Sequence, residues 1–279
     1  MQTFLRPRLL SPEEARVWTE EPDGRQYAVA AIVPCYNAEK WVSESVRSVL
    51  EQSDVPGDLQ VICVDDGSTD GTYSVLTVLQ EHHDSLIVIR QPNRGASAAR
   101  NRAIRRATAP ILLYQDADDI SPPDRLGLSL RAMQETGAEL IYGQKLRFVT
   151  SPETLFKCPP AHPPSPNLIL GGNGFGTGTV CVLRSVHMER GIWLDERLGG
   201  AEDHDLLIAA LAAGISVVCS PEVLLWRRET KGSLRHRVDW RLLRKFLYLK
   251  HQEFLEEYTG KKVSVPSNLM PTLEAILAH

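Results

Sequence analysis

The chain has 279 residues, enough for one large α/β domain or two small ones, and its 43% apolar and 24% charged residues are an ordinary globular balance that can bury a real core. A formal net charge of −4 offers no general attraction to nucleic acid or anionic lipid, so non-specific nucleic-acid binding is excluded as a role. The five cysteines (Cys35, Cys63, Cys158, Cys181 and Cys219) are odd in number and form no CxxC pair, which argues against a disulfide framework and a zinc site.

The start, Met1 to Pro7, has no apolar core of signal-peptide length, and no window approaches the roughly 20 apolar residues of a spanning helix. The expectation is a cytoplasmic protein with no transmembrane segment, for which peripheral contact with the inner face of a membrane stays open. Residues 1–26 read as a polar extension, with Ser11-Pro12-Glu13-Glu14 as a capping box opening a short helix before Pro22.

Sheet structure begins at residues 27–33, a continuous apolar run of the kind that a parallel strand buried on both faces requires. It stops at Pro34-Cys35-Tyr36-Asn37, after which Val42, Val46, Val49 and Leu50 recur at helical spacing. The unit repeats: strand 59–64, the turn Asp65-Asp66-Gly67-Ser68-Thr69-Asp70-Gly71, then a helix carrying Val75, Leu76 and Leu79. A third strand, 86–89, leads through Asn93-Arg94-Gly95 into an Ala- and Arg-rich helix to Ala107. A fourth, 111–114, delivers Gln115-Asp116-Ala117-Asp118-Asp119. Strands alternating with helices at this length imply a mostly parallel central sheet with right-handed crossovers. The turns after the four strands then converge on one sheet edge, where open α/β sheets bind ligands.

Asp116, Asp118 and Asp119 repel one another unless solvated, hydrogen-bonded or gathered around a cation, and a hard divalent ion prefers such oxygens and shares itself with substrate phosphates. Ser-x-x-Asp from Ser121 to Asp124 also fits a helix start, with Ser121 as cap and Pro122 at the first helical position, but that leaves Asp116 and Asp118 unexplained. An EF-hand loop counted from Asp116 fails, because Ser121 and Gly127 occupy its sixth and twelfth places. Asp65 and Asp66 sit at a strand end suited to accept hydrogen bonds from a base or a ribose; Gly95 allows close backbone approach, and Arg100 offers a fork of donors.

Farther on, strand 140–142 precedes a Pro-rich excursion over 151–167. The Gly-rich run 171–178 has the wrong spacing for a dinucleotide fingerprint and reads as a flexible loop beside an acceptor cleft. Strand 179–183 follows, then Glu202-Asp203-His204-Asp205 opening a helix over 206–213 that ends at Gly214, with His204 expected to face solvent. Strand 222–228 leads into the polar segment 229–236, a basic amphipathic helix spans 239–257, and a short helix over 272–278 is expected to dock or make an oligomer contact.

Ala-Ile-Val-Pro-Cys-Tyr-Asn at 31–37, Val-Asp-Asp-Gly-Ser-Thr-Asp-Gly at 64–71, Asn-Arg-Gly-Ala-Ser-Ala-Ala-Arg-Asn at 93–101 and Asp-Ala-Asp-Asp at 116–119 closely resemble the family 2 glycosyltransferases of the GT-A fold, over roughly residues 28–235. The resemblance implies a single α/β GT-A domain at 27–236, with a nucleotide-binding half at 27–120, an acceptor half at 121–236 and a C-terminal helical segment at 237–279. It implies a nucleotide pocket lined by Pro34, Tyr36, Asn37, Glu39, Asp65 and Asp66, with Gly95 and Arg100 nearby. Asp116 and Asp118 become the Asp-x-Asp pair on the diphosphate and its Mg²⁺ or Mn²⁺, with Asp118 the direct metal ligand. Asp203 takes the general base's place, and Arg228 or His236 contacts the diphosphate from a mobile loop. The implied activity is inverting transfer from a nucleotide-diphosphate sugar, most often a UDP-sugar, to a carbohydrate or glycolipid acceptor in cell-surface polysaccharide synthesis. Competing readings are a sugar-nucleotide-binding protein without turnover, transfer to a polyprenyl phosphate, and a nucleotidyltransferase; the last usually carries a glycine-rich basic loop where this chain has Pro-Cys-Tyr-Asn.

Overall fold

The computed structural model describes residues 26–55, 57–166, 169, 174–230 and 240–262. Residues 1–25 of the N-terminal extension, Gly171, His236 and the expected helix over 272–278 lie outside the described residues. Within them β1 (Tyr27–Cys35), β2 (Asp58–Asp65), β3 (Leu86–Arg90) and β4 (Ile111–Tyr114) alternate with α1 (Val42–Leu50), α2 (Thr72–His82) and α3 (Ala96–Arg106). α4 (Arg125–Thr136), β5 (Leu140–Phe148), the short β6 (Phe156–Lys157), β7 (Cys181–Leu183) and α5 (Arg184–Met188) follow. Last come α6 (Glu202–Ala212), β8 (Val217–Arg228), α7 (Trp240–Lys250) and α8 (Gln252–Thr259).

The strands form one sheet in the order β3-β2-β1-β4-β7-β5-β6, with β8 paired to β5. β3, β2, β1 and β4 are parallel, as is β8 with β5, while β7 runs antiparallel to both β4 and β5. The long apolar runs of β1 and β2 are explained by burial on two sides. Ala30, Ile32 and Ile62 pack toward α3, α6 and α7, and Val29, Ala31, Val33 and Val61 toward α1, α2 and α4. Register sets Cys35 beside Asp65 and Asp65 beside Arg90, so the first three turns leave the sheet side by side.

Several local expectations are corrected. Strand β8 starts at Val217, ahead of Pro221, because the register shift between Tyr142 and Gln144 on β5 bulges the partner strand where Pro221 lacks a ladder donor. The helix after the acids begins at Arg125 and not at Pro122; Ser121 does not cap it, since its hydroxyl donates to Gln115 Oε1 (2.9 Å) and accepts from Arg125 Nη1 (2.9 Å). The helix expected over 239–257 breaks at His251, whose ring nitrogen meets Asp205 Oδ1 at 2.8 Å. The described end of the glycine run is no flexible loop: Thr177–Thr179 is a buried 3-10 turn. No helix among the described residues is long and apolar enough to cross a membrane.

Candidate functional site

The first two turns are laced together by their own polar groups. Asn37, at φ +48°, donates its N–H to Ser68 Oγ (3.0 Å) and accepts from the Thr69 N–H (2.9 Å) through Oδ1. The Glu39 carboxylate accepts the Gly71 N–H at 3.1 Å, and the Ala38 N–H donates to Thr72 Oγ1 at 2.7 Å. Asn37 and Glu39 therefore spend their polar groups on fixing the neighbouring turn. Tyr36 is left with its ring exposed and Pro34 half-buried.

Asp65 and Asp66 are both buried, and they diverge in use. Asp65 accepts the Ser68 N–H (3.3 Å) and pairs with Arg90 Nε at 3.1 Å. Asp66 reaches across to the third turn, accepting from Gln91 Nε2 (2.7 Å) and the Arg94 N–H (2.9 Å) on one oxygen and from the Gly95 N–H (2.7 Å) on the other. Its carboxylate thus fixes the backbone of Gly95, whose φ of +93° a side chain would resist and whose Cβ position faces open space.

The acid loop after β4 is held from below by buried donors. Arg125 donates to the Tyr114 carbonyl (2.6 Å) and to Gln115 Oε1 (2.7 Å), and Gln115 Nε2 donates to the Asp119 carbonyl (2.8 Å). Asp116 faces Arg100, with Nη2 to Oδ1 at 2.5 Å; the other arm of the same guanidinium meets Glu202 Oε1 at 3.4 Å. Arg100 thus joins the loop of β4 to the first turn of α6, where Asp203 sits. Burial works against the charge of Arg100, but the Asp116 and Glu202 carboxylates outweigh it and hold its pKa up.

Asp118 is different. Its carboxylate is in no ion pair with a described residue; burial, then the charge of Asp116, push its pKa up to about 6, while a bond from its own backbone N–H and the charges of Arg227 and Arg228 pull the other way. Asp119 is fully enclosed and raised by burial and by Asp118 and Asp116; its Oδ1 accepts the Arg228 N–H at 2.8 Å. Among the described residues no group of three or more His, Cys, Asp or Glu side chains could hold a metal by themselves. The donor set fits a hard cation at Asp118, because its half-buried carboxylate is in no ion pair with a described residue and Asp116 already spends one oxygen on Arg100.

Asp203 is 23% exposed, and its Oδ1 accepts the His204 N–H (2.7 Å) and meets His204 Nδ1 (2.9 Å). Burial would raise its pKa, but the bonds from His204 and the charge of Lys145 bring it below the ordinary value, so Asp203 stays ionised. His204 is a correction: it is buried against Asp203 and does not face solvent.

Arg228 is a second correction. The expected loop contact is a buried side chain, because β8 runs as far as Arg228, opposite Phe148. Its guanidinium lies 4.4 Å from the ring centres of both Trp41 and Phe148, pairs with Glu44, and donates from Nε to the Asp118 carbonyl at 2.9 Å. It braces the acid loop. The sequence reading missed Glu202 as a partner of Arg100, and Gly178: a Cβ there would lie 2.9 Å from both Asp116 Oδ2 and Leu225 Cδ2, so the turn requires glycine to approach the acid. The glycine run was the available signal.

The family model described as glycosyl transferase family 2 matches residues 30–186. Among curated relatives, TuaG of Bacillus subtilis (strain 168) is 36% identical over 138 residues, 46% of this chain and 54% of that protein. ExoU of Rhizobium meliloti (strain 1021) is 30% identical over 207 residues, 67% of this chain and 57% of that protein. The matches to curated relatives cover between 17% and 57% of those proteins' own length. In three dimensions it resembles S. aureus TarS 1-349 solved with UDP-GlcNAc, at a TM-score of 0.65 and 19% identity, covering 89% of this chain and 79% of that one. The mannosyltransferase PcManGT of Pyrobaculum calidifontis, solved with GDP-Man and Mn²⁺, superposes at 0.60 with 22% identity, over 94% of this chain and 74% of that one. The four converging turns, the acid loop and a family match covering more than half of the sequence lead to one conclusion: this chain belongs to glycosyl transferase family 2.

Proposed function

We propose that the protein transfers a sugar, with inversion, from a nucleotide-diphosphate sugar to an acceptor hydroxyl, using a divalent metal, in cell-surface polysaccharide or glycolipid synthesis. One observation carries this reading: Asp118, an acid in no ion pair with a described residue, and Asp203, an ionised acid, stand on two elements that a single buried arginine, Arg100, ties together. The donor class is supported by TarS, solved with UDP-GlcNAc, and by WfgD of Escherichia coli, 34% identical over 119 residues, whose name gives UDP-Glc as donor and α-D-GlcNAc-diphosphoundecaprenol as acceptor. TuaG is named for teichuronic acid and ExoU for succinoglycan biosynthesis, which supports the setting.

In this reading the nucleoside lies over Pro34 and Tyr36, with Asp65 and the Gly95 backbone at its edge, and the diphosphate reaches Asp118. A bound Mg²⁺ or Mn²⁺ would supply Lewis-acid stabilisation of the leaving diphosphate. Asp203 accepts the proton of the attacking acceptor hydroxyl. Its low basicity suits a late proton transfer, and correct placement of such a group contributes about 10²- to 10⁴-fold. Attack from the face opposite the diphosphate inverts the anomeric centre. The test is transfer or hydrolysis of radiolabelled UDP-sugars with Mg²⁺ or Mn²⁺ by wild type and Asp203→Asn. The expected result is unchanged UDP binding with turnover lowered at least a hundredfold in the variant; equal turnover removes Asp203 from the role.

A further inference from the structure

Lys145 on β5 and Arg227 on β8 are left over by this account. Register places Lys145 opposite Leu225 and Arg147 opposite Arg227, so Lys145 and Arg227 are diagonal neighbours on one face of the strand pair. That face is the one turned to the site: Leu225 Cδ2 and Asp116 Oδ2 both crowd the space beside Gly178, and the Lys145 ammonium crowds the space beside Gly176, 2.8 Å from where a Cβ would stand. The nearby arginines are satisfied, Arg147 by Glu229 (3.4 Å) and Arg228 by Glu44. Lys145 and Arg227, both half-buried, make no hydrogen bond or ion pair with a described residue.

Their electrostatic surroundings are specific. Burial, then the charge of Arg227, lower the Lys145 pKa; Asp203, Cys158 and Asp119 act in the opposite direction. Arg227 in turn helps to hold Asp118 and Asp119 down. The neighbouring carboxylates offset part of the repulsion between the two cations, but none of them forms an ion pair with either, so the donors of both side chains are left to an anion that arrives between them.

We propose that Lys145 and Arg227 form a phosphate-binding pair that grips a phosphate of a substrate beside Asp203. The inference rests on the proposed transfer site. Two sources share this chemistry: the diphosphate of the donor, and a phosphate carried by the acceptor next to its reacting hydroxyl.

The test compares wild type, Lys145→Gln, Arg227→Gln, the double variant and the conservative Lys145→Arg, all with Mg²⁺. Uridine and UDP are titrated by calorimetry, and inorganic phosphate is titrated into UDP-saturated protein by ³¹P NMR. A donor phosphate in the pair lowers UDP affinity at least tenfold in the double variant and leaves uridine unchanged. An acceptor phosphate leaves UDP affinity intact, while the wild type with UDP bound takes up inorganic phosphate and the double variant does not; Lys145→Arg keeps binding in either case. The pair is overturned if the double variant, folded by its urea midpoint, matches wild type for UDP and for inorganic phosphate. That result would leave the two cations as distant balance for the acids. If wild type binds neither uridine nor UDP, the donor reading fails separately, and phosphate uptake by the free protein decides the pair: loss in the double variant sustains it, and equal uptake removes it.

Discussion

Replacing Arg100 with methionine removes the buried bridge between the acid loop and α6 while keeping a side chain of similar length. The Arg100 side chain is 5% exposed and serves Asp116, 30% exposed, and Glu202, 16% exposed. Breaking a fully buried pair by deleting one partner costs about 3–5 kcal/mol, because the orphaned charge stays desolvated. Partial solvent access at both acids reduces this, which gives about 2–4 kcal/mol. Against a total stability of about 5–15 kcal/mol the loss is large but leaves a folded protein. The assay is urea unfolding followed by circular dichroism, where the midpoint should fall by about 1 M if the slope is near 3 kcal/mol per M. Asp116→Asn on top of Arg100→Met should recover part of the loss, since one uncompensated charge is gone. A loss under about 1 kcal/mol, or strict additivity of the two changes, would refute a bridge that couples the loop to the helix.

Three other outcomes follow from the same geometry. Between about pH 4 and 6 folded Asp118 keeps a proton that the unfolded chain has released, so stability from this group falls as the pH rises through that window. Metal-free Asp118→Asn should therefore be more stable than wild type at pH 7, by of order 2 kcal/mol, with the difference vanishing below pH 4 and donor binding lost; melting curves across pH check this. Gly178→Ala forces a Cβ to within 2.9 Å of Asp116 Oδ2, and an overpacking cost of about 1–3 kcal/mol together with weakened UDP binding is expected, read by thermal melting with and without UDP. Lys250 donates to Asp195 (2.7 Å) and Asp205 (2.8 Å), clasping α7 onto α6, so Lys250→Met should lower the melting temperature and slow transfer; unchanged melting would show the clasp to be idle.

The first four strands and the helices between them were legible because each strand is buried on both faces and reads as an unbroken apolar run ended by a polar turn. The acids at the strand ends were legible by position and by resemblance. What they touch was not. Arg100 meets Glu202 across 102 positions of sequence, and no local pattern encodes that. The direction of β7 could not be read from the residues of a short apolar run, and a strand read from 222 onward missed the part of β8 that runs from Val217 through a bulge. Arg228 carries a charge that suggested solvent or ligand, yet the aromatic faces of Trp41 and Phe148 and the partner Glu44 make its burial favourable. His204 was misread because its neighbour Asp203 supplies the hydrogen bond that makes a buried imidazole tolerable.

The measurement that bears most directly on the proposed activity is thermal melting of wild type and Asp118→Ala against UDP, GDP, CMP and dTDP, each with and without Mn²⁺. A ligand at a hundredfold excess over its dissociation constant stabilises the native state by about 2.7 kcal/mol, a shift easily read. The account predicts that UDP raises the wild-type melting temperature only with metal and that Asp118→Ala abolishes the rise. A rise with UDP that ignores both metal and Asp118, or no rise with any nucleotide, would contradict it.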